Sequence, residues 1–318
     1  MRSRPPTTTL AALLLAGCAV CLADTPPASD PASPLVFTSF RRNGEDGLHL
    51  AWSKDGYVWT PLKDDRPFLR PEVGGGLMRD PHILQGPDGA FHMVWTTAWN
   101  KHGVGYANSR DLVHWSKQKL LAVMSNEPAA RNVWAPELFY DAARRQFMIF
   151  WASTIPGRFP ATDTAGDEGY NHRMYFTRTA DFERLEPARL LYDPGFNVID
   201  GTIVQDGTRF VMFLKDETRH PPAKNLRLAT AAAPAGPYGP ASAPITGKYW
   251  AEGPSAIKLG DTWFVYFDRY TEGRYGLVTS KDLVHWNDQS DKVRFPPDHR
   301  HGSVLRVSRE VLDGIMRP

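Results

Sequence analysis

The chain has 318 residues, of which 37 are Lys or Arg and 35 are Asp or Glu, so its formal net charge is +2. Neither sign of charge dominates and no segment concentrates Lys and Arg, which argues against a nucleic-acid-binding protein. Aromatic residues make up 12% of the chain, a share that is typical of β-rich proteins. The two cysteines, Cys18 and Cys21, both lie near the amino terminus, so the rest of the chain needs a large apolar core rather than disulfides for stability.

Residues 1–23 predict a secretory signal peptide, because a basic start is followed by an apolar run and small residues. Two endings remain open. A Leu-Ala-Gly-Cys run ending at Cys18 resembles a bacterial lipobox and would leave a lipid anchor there, whereas cleavage after Ala23 would release the protein. Residues 24–34, rich in Pro and Ser, predict a flexible leader. No later stretch approaches the roughly 18 apolar residues of a membrane span, so we expect an exported protein that is periplasmic, anchored to the outer membrane or extracellular.

A repeated unit follows the leader. Each copy starts with a charged head residue before a short apolar run, continues through a turn such as Gly86–Gly89, and reaches an aromatic strand such as Phe91–Trp95. The copies recur about every 50 to 60 residues, and self-similarity of this kind predicts a repeat architecture. The head residues are Asp80, Glu137, Asp200, Glu252 and, in a final partial copy, His301.

The second half of each unit is a strand that ends in a small polar residue and an aromatic residue, as in Tyr106–Trp115 and Val278–Trp286. Together with the turns, this gives four short strands per unit, the pattern of a β-propeller blade. Residues 35–59 lack a head strand, and residues 301–307 supply a head strand with nothing after it. The sequence therefore predicts an all-β, five-bladed β-propeller over residues 35–318, its ring closed by pairing the amino- and carboxyl-terminal segments in one blade.

The head residues are expected to meet, because the first strand of every propeller blade lines the central channel. Carboxylates held close together push some pKa values up and keep others ionised, which suits a site that needs one protonated and one ionised carboxyl. Each residue alone has a plainer interpretation. An Asp before Pro or Gly is often a turn former, Glu137 fits a strand edge, and a single His is more often structural than catalytic. Their joint occurrence in five repeats favours a shared site.

The runs around these heads resemble the motifs of glycoside hydrolase family 43, whose five-bladed propellers act on arabinose-, xylose- or galactose-containing polysaccharides. The matching runs are Asp80-Pro81, Trp134-Ala135-Pro136-Glu137, Ile199-Asp200 and Glu252-Gly253-Pro254. The resemblance implies that Asp80 is the general base, that Glu252 is the general acid and that Asp200 tunes and orients the acid. Inversion needs two carboxyl groups roughly 6.5–9.5 Å apart, and we expect repulsion from the third to raise the pKa of the acid.

The resemblance also implies a role for His301, which matches a histidine under the sugar site that in some members helps to order a channel calcium ion through water. We expect no required cofactor, with a structural calcium in the channel as an open alternative. Two departures stand out. Glu137 replaces a commoner Asp, and Arg79 creates an Arg-Asp-Pro run that also resembles the invertase-like family 32, where the run lies in the third blade.

Substrate contacts are predicted from residue type alone. Trp99 and Trp134 are candidates to stack on a sugar face, Arg274 to hydrogen-bond sugar hydroxyls, and Glu137 and His301 to complete the sugar site. Core packing explains a Trp equally well, and solvation explains an Arg. Two apparent insertions, residues 155–173 and 215–227, are predicted to wall the pocket, because long loops inside a compact domain are usually functional or disordered.

These observations predict a monomeric, inverting glycosidase that removes terminal sugars of the arabinofuranose, xylose or galactose type from polysaccharides or oligosaccharides, as an α-L-arabinofuranosidase or β-xylosidase does. Three alternatives remain open: a non-catalytic carbohydrate-binding propeller, a retaining invertase-like hydrolase and a glycoside phosphorylase. A pure binding protein would not need three carboxyl groups at one site, which favours the enzyme.

Overall fold

A computed structural model describes residue 1 and residues 33–317, so the predicted signal peptide and most of the leader lie outside the described residues. The strands form five antiparallel sheets arranged as a five-bladed β-propeller, which confirms the predicted fold class. In chain order the strands are β1 Leu35–Arg41, β2 His49–Ser53, β3 Thr60–Pro61, β4 Arg79–Gln85, β5 Phe91–Thr96, β6 Val104–Ser109, β7 Lys119–Leu121, β8 Trp134–Asp141, β9 Gln146–Thr154, β10 His172–Thr179, β11 Arg189–Tyr192, β12 Val198–Asp206, β13 Arg209–Asp216, β14 Asn225–Ala231, β15 Glu252–Leu259, β16 Thr262–Arg269, β17 Arg274–Ser280, β18 Asn287–Asp288, β19 His299–Arg300 and β20 Val304–Arg306.

Four blades follow the chain in order. They are β4–β7, β8–β11, β12–β14 and β15–β18, each starting at the channel and ending at the rim. Two short 3₁₀ turns, Lys63–Asp65 and Pro160–Thr162, lie in loops, and one helix, α1 Arg309–Met316, follows the last strand. No helix among residues 33–317 is long and apolar enough to cross a membrane.

The predicted ring closure is confirmed. Strand β1 pairs on one side with β2 and on the other with β20 and β19, so residues from both ends of the propeller share one sheet. The pairing includes Phe37 with Val304 and Phe40 with Arg300. Between these pairs the Thr38 amide donates to the Ser303 carbonyl, at 2.9 Å. The segment that contains β19 and β20 therefore stays hydrogen-bonded to β1 between the two strands.

The third blade has three strands rather than the predicted four. Residues 239–245 run beside β14, and the amides of Gly239, Ser242 and Ile245 donate to its carbonyls at 2.8–2.9 Å. Pro240 and Pro244 interrupt this pairing, because proline has no N–H to donate to a ladder. The outer edge of this blade is therefore not a regular strand but an irregular segment whose amides bond to β14 at every third residue.

The polar ends of the blade strands form one repeated turn. At Ser109 the hydroxyl oxygen accepts the amides of Asp111 and Leu112, and Asp111 Oδ1 then accepts those of Val113 and His114. Leu112 has a φ of 64°, a left-handed conformation that the turn imposes. The same bonds recur in turns that start at Ser53, Thr179 and Ser280.

The core lies between adjacent blades. Trp95 and Trp151 are fully buried, as is Phe267. Two glycines make room for these rings, since a Cβ at Gly105 would lie 2.0 Å from the Trp95 ring and one at Gly276 would lie 2.2 Å from the Phe267 ring. Burial of rings of this size dominates core energetics, and it holds the five inner strands around the channel.

Candidate active site

The inner strands share a β-bulge at one level of the channel. The irregularities lie between Arg79 and His82, Trp134 and Glu137, Ile199 and Thr202, and Glu252 and Ser255. The first residue inside each bulge has a positive φ: Asp80 at 52°, Ala135 at 46°, Asp200 at 53° and Gly253 at 57°. Such conformations are uncommon for residues other than glycine, and they cluster at functional sites.

The five head residues do not all lie at one level of the channel, contrary to the expectation from the repeat, because the bulges shift some of them. Asp80 and Asp200 lie at the bulge, and His301 lies at the same level, since its Nδ1 is 3.2 Å from Asp80 Oδ1. Glu252 lies one position earlier. Glu137 lies two positions later, in a separate layer. A bulge adds one unpaired residue to a strand and breaks the strict alternation of its side chains, and this is why the acidic residues of the sequence repeat do not fall at one level.

A single pocket on the propeller axis nevertheless contains the three predicted catalytic residues. Its volume is about 190 Å³. A neighbouring cavity of about 300 Å³ shares Trp99, Trp134 and Glu217 with it. The pocket is lined by Arg79, Asp80, Thr96, Trp99, Trp134, Ala135, Ile199, Asp200, Lys215, Glu217, Glu252 and His301.

Asp80 is a buried carboxylate with fixed partners on both oxygens. Thr96 Oγ1 accepts the Ala135 amide at 2.9 Å, so its proton is free to be donated to Asp80 Oδ2 at 2.7 Å. His301 Nδ1 lies 3.2 Å from Asp80 Oδ1. Burial opposes ionisation of Asp80, but the charge and hydrogen bond of His301, with Arg79 and Thr96, outweigh it and lower the pKa of Asp80 to about 2.

His301 is the cation that balances this layer. Burial alone would lower its pKa, but the charges of Asp80, Asp200 and Glu252 raise it to about 9. Its ring packs against the backbone of Gly253, where a Cβ would lie 2.4 Å from the imidazole. A glycine is therefore required at position 253 for His301 to reach Asp80.

Glu252 is held by two cations. Lys215 Nζ donates to its Oε2 and Arg300 Nη2 donates to its Oε1, both at 3.0 Å. Lys215 is itself buried, lies 2.6 Å from Glu217 Oε2, and has its pKa raised against the effect of burial by Glu217, Glu252 and Asp200. Arg300 also pairs with buried Asp268.

The surroundings of Glu252 and Asp200 shift the pKa values of these two carboxyl groups in opposite directions. Burial would raise the pKa of Glu252, but Lys215 and Arg300, together with His301, lower it. The pKa of Asp200 is raised to about 6, by burial and by repulsion from Glu252 and Asp80. The expectation of a raised pKa at Glu252 considered only the carboxyl groups, whereas two cations that the repeat did not reveal contact this one directly.

Glu137 lies below the pocket rather than in its lining. Its Oε2 is 3.4 Å from His82 Nε2, and it hydrogen-bonds to Thr202. Burial, with no cation in contact, raises the pKa of Glu137 to about 8 and lowers that of His82 to about 3. His82 Nδ1 accepts the Leu138 amide at 3.2 Å, so this layer is an uncharged plug across the channel.

The residues around His301 do not fit the calcium ion that the family resemblance left open. Calcium requires six to eight oxygen ligands. A His301 ring with a pKa of about 9 carries a positive charge at neutral pH and repels a cation. Below it, Glu137 and His82 are neutral, and above it the Asp80 and Glu252 carboxylates already pair with His301, Lys215 and Arg300.

The predicted sugar contacts fall in two places. Trp99 is 46% exposed at the pocket mouth, and its ring lies 4.4 Å from the Arg79 guanidinium carbon. Trp134 Nε1 donates to the Trp99 carbonyl at 2.9 Å, so the two rings form one wall. Arg274 is not brought to this pocket. It pairs with Glu272 and Asp291 and lines a different cavity beside the fourth blade.

The two predicted insertions are shorter than expected. Residues 155–171 form a loop before β10, and this loop contributes Tyr170 to the neighbouring cavity. Lys215, assigned from sequence to a loop, is instead the penultimate residue of β13 and pairs with Ile199. One signal in the sequence could have placed Lys215 on a strand. It lies at the end of an apolar run, on the strand that follows a head strand. Arg300, which immediately precedes His301, was also missed.

Comparisons with known proteins agree with the fold. A curated α-L-arabinofuranosidase of Bifidobacterium longum subsp. longum is 22% identical over 208 residues, which cover 58% of this chain and 19% of the relative, so the chain spans about a fifth of that protein's length. The crystal structure of an α-L-arabinofuranosidase from Lactobacillus brevis is 16% identical with a TM-score of 0.52, over 67% of this chain and 72% of that one.

An exo-β-1,3-galactanase structure from Phanerochaete chrysosporium, with bound β-1,3-galactotriose, is 14% identical with a TM-score of 0.51, over 74% of this chain and 53% of that one. At these identities the structural likeness establishes the propeller fold alone. The family assignment comes from a sequence model, described as a probable glycosyl hydrolase domain, that matches residues 30–313. The chain therefore belongs to the glycosyl hydrolase 43-related family.

Proposed function

We propose that this protein is an inverting glycosidase that removes terminal sugars of the arabinofuranose, xylose or galactose type. One observation carries the proposal: Asp80, held ionised, and Glu252 line the same small pocket, with Asp200 between their strands in the ring of blades. A carboxylate that is ionised at every physiological pH is suited to activate water. The activities of the similar proteins, arabinofuranosidase and galactanase, support the choice of sugar types.

Asp80 is the proposed general base. Thr96 and His301 fix the carboxylate in place and keep it charged. Such orientation by two hydrogen-bonding neighbours is what a base needs to hold a water molecule at one face of a bound sugar. His301 acts as a positioning residue, since its contact is with Asp80 rather than with the reacting atoms.

Glu252 is the proposed general acid, with Asp200 as its partner. The two carboxyl groups repel each other inside one pocket, so they titrate as a pair rather than independently. The pair retains one proton below about pH 6. We assign its delivery to Glu252 because this residue lies one position nearer the mouth, where the leaving group departs. Lys215 and Arg300 then stabilise the carboxylate that remains after the proton is transferred.

The closed channel supports action on terminal sugars. The Glu137–His82–Thr202 layer separates the upper pocket from a cavity at the opposite end that is lined by His82, Thr202 and Ser255. A polysaccharide chain therefore cannot thread through the axis. A pocket with one opening admits the end of a chain rather than its interior.

A panel of p-nitrophenyl glycosides tests the proposal, using α-L-arabinofuranoside, β-D-xyloside and β-D-galactoside with the wild type. We expect turnover of at least one, and proton NMR of the first-formed sugar should show inverted anomeric configuration. Retention would assign an invertase-like mechanism instead, and turnover that requires phosphate would assign a phosphorylase. Binding of oligosaccharides without any turnover would make the protein a carbohydrate-binding propeller.

We also propose that the protein is exported, on the basis of residues 1–23 alone. Cell fractionation of the full chain and of Cys18→Ala separates the two endings. Loss of membrane association in the variant supports the lipid anchor, whereas a wild type that fractionates with soluble periplasmic or secreted proteins supports cleavage after Ala23.

A further inference from the structure

A second polar cluster lies in the closing blade, outside the pocket. It consists of His49 at the start of β2, Asp65 in the 3₁₀ turn after β3, and His299 in β19. One ligand atom of each residue lies within 4.8 Å of the others. None of the three lines the pocket that holds Asp80 and Glu252.

The three side chains converge on one oxygen. His49 Nδ1 lies 3.2 Å and His299 Nε2 lies 2.7 Å from Asp65 Oδ1. His49 is 1% exposed and His299 is 5% exposed, whereas Asp65 is only partly buried. The cluster is thus rigid on two sides and open to solvent on the third, which provides an entry path for a small ion.

The far nitrogen of each ring has its own partner. His49 Nε2 is 3.0 Å from Asp46 Oδ2, and His299 Nδ1 is 2.7 Å from the Ser39 hydroxyl. If each ring donates its proton outward to these partners, the two inner nitrogens present lone pairs toward Asp65. Metal-ligating histidines show this arrangement, in which a carboxylate or another acceptor binds the second ring N–H and fixes the tautomer.

The hydrogen bonds around the cluster are incomplete. Asp46 Oδ1 and Arg41 Nε are both buried and have no hydrogen-bond partner among residues 33–317. Arg41 Nη1 donates to Asp65 Oδ2 at 2.9 Å, so the oxygen that this carboxylate can offer to an ion is Oδ1, which faces His49 and His299. Buried acceptors normally find a partner, so Asp46 Oδ1 is an acceptor beside the cluster that the hydrogen bonds among the described residues leave unused.

We propose that His49, Asp65 and His299 bind one divalent transition-metal ion of the zinc class. Two imidazole nitrogens and one carboxylate oxygen form a donor set that zinc uses, with a fourth position left for water. The ligands come from the first and last segments of the propeller. A bound ion would therefore join the two ends of the ring in the blade where they meet.

Metal binding to the purified, EDTA-treated chain, with any affinity tag removed, tests this site directly. We expect one equivalent of Zn²⁺ by mass spectrometry of the metal content, a rise in melting temperature with Zn²⁺ but not with Mg²⁺ or Ca²⁺, and visible absorption bands of a four-coordinate site with Co²⁺. His49→Gln and Asp65→Asn should weaken Zn²⁺ binding at least about a hundredfold, and Asp46→Asn about ten- to a hundredfold.

His92→Gln is the matched control, because His92 is also buried beside an aspartate, Asp88, but has no second histidine with it. It should bind Zn²⁺ as the wild type does. The milder variants Asp46→Asn and Ser39→Ala keep the test decisive if His49→Gln does not fold. The proposal is overturned if the wild type binds no stoichiometric Zn²⁺, or if binding persists unchanged in the folded cluster variants.

Discussion

Asp80 and Glu137 are both buried carboxyl groups in one channel, yet they have opposite electrostatic states. The pKa of Asp80 is lowered to about 2, and that of Glu137 is raised to about 8. Burial acts in the same direction on both. The difference is the neighbouring imidazole, because His301 carries a charge and lies 3.2 Å from Asp80, whereas His82 beside Glu137 is neutral.

Burial alone therefore does not decide whether a carboxyl group in this channel is ionised. A shared cation makes the upper layer a charged pocket for chemistry, and its absence makes the lower layer a neutral plug. Each layer contains a carboxyl group, a histidine and hydroxyl-bearing residues. Four substitutions test this difference between the two layers.

Asp80→Asn is expected to have the largest effect. It removes the ionised oxygen while keeping the shape of the side chain, and loss of a general base typically costs at least about a hundredfold in rate. We expect kcat on the best aryl glycoside to fall by this amount or more, with an unchanged far-UV circular dichroism spectrum. Turnover close to that of the wild type would remove Asp80 from the mechanism.

Glu252→Gln is expected to show an effect that depends on the leaving group. Its loss should reduce kcat by about a hundredfold or more on substrates whose leaving oxygen needs a proton. With a dinitrophenyl leaving group, which departs without protonation, much of the rate should return. An equal loss on both substrates would contradict the role of general acid and would point instead to damage from the unpaired Lys215 and Arg300.

His301→Gln is expected to shift the pH dependence rather than abolish activity. Removal of the cation raises the pKa of Asp80 from about 2 toward or above its ordinary value of 3.8. Because the base works only when ionised, the acidic limb of kcat/KM should move upward by about one pH unit or more. A fall in activity with an unmoved acidic limb would show that His301 acts only through packing.

Glu137→Gln is expected to have the smallest effect on catalysis, since it replaces one neutral side chain by another of the same shape. It should change stability instead. In the wild type the folded protein keeps the Glu137 proton up to about pH 8, while the unfolded chain loses it near 4.5. The free energy of unfolding should therefore fall with rising pH in this window, by up to about 1.4 kcal/mol per unit from this group.

Urea unfolding of the wild type and Glu137→Gln at pH 5, 6, 7 and 8 measures this slope. The variant should lose it, and its stability should exceed that of the wild type most at pH 8. Parallel curves for the two proteins would mean that Glu137 ionises normally and that the lower layer is charged like the upper one.

The repeat in the sequence was sufficient to predict the propeller, its closure and the shared pocket of Asp80, Asp200 and Glu252. It was not sufficient to predict the level of each side chain. A bulge adds one residue to a strand without changing its composition, so Glu137 looked equivalent to Asp80. The cations were hidden for a different reason. Lys215 follows an apolar strand like any loop residue, and only three-dimensional pairing shows that it contacts Glu252.

The closing blade links the closure of the ring to the charge beside Asp80. His301 lies between β19 and β20, the two strands that complete the ring by pairing with β1. If those strands separate, even briefly, Asp80 loses its counter-charge at the same moment as the circle opens. Opening of the ring and a rise in the pKa of Asp80 are then one event. An activity assay at mildly acidic pH would detect the first separation of β19 and β20 from β1 while the other four blades are still intact.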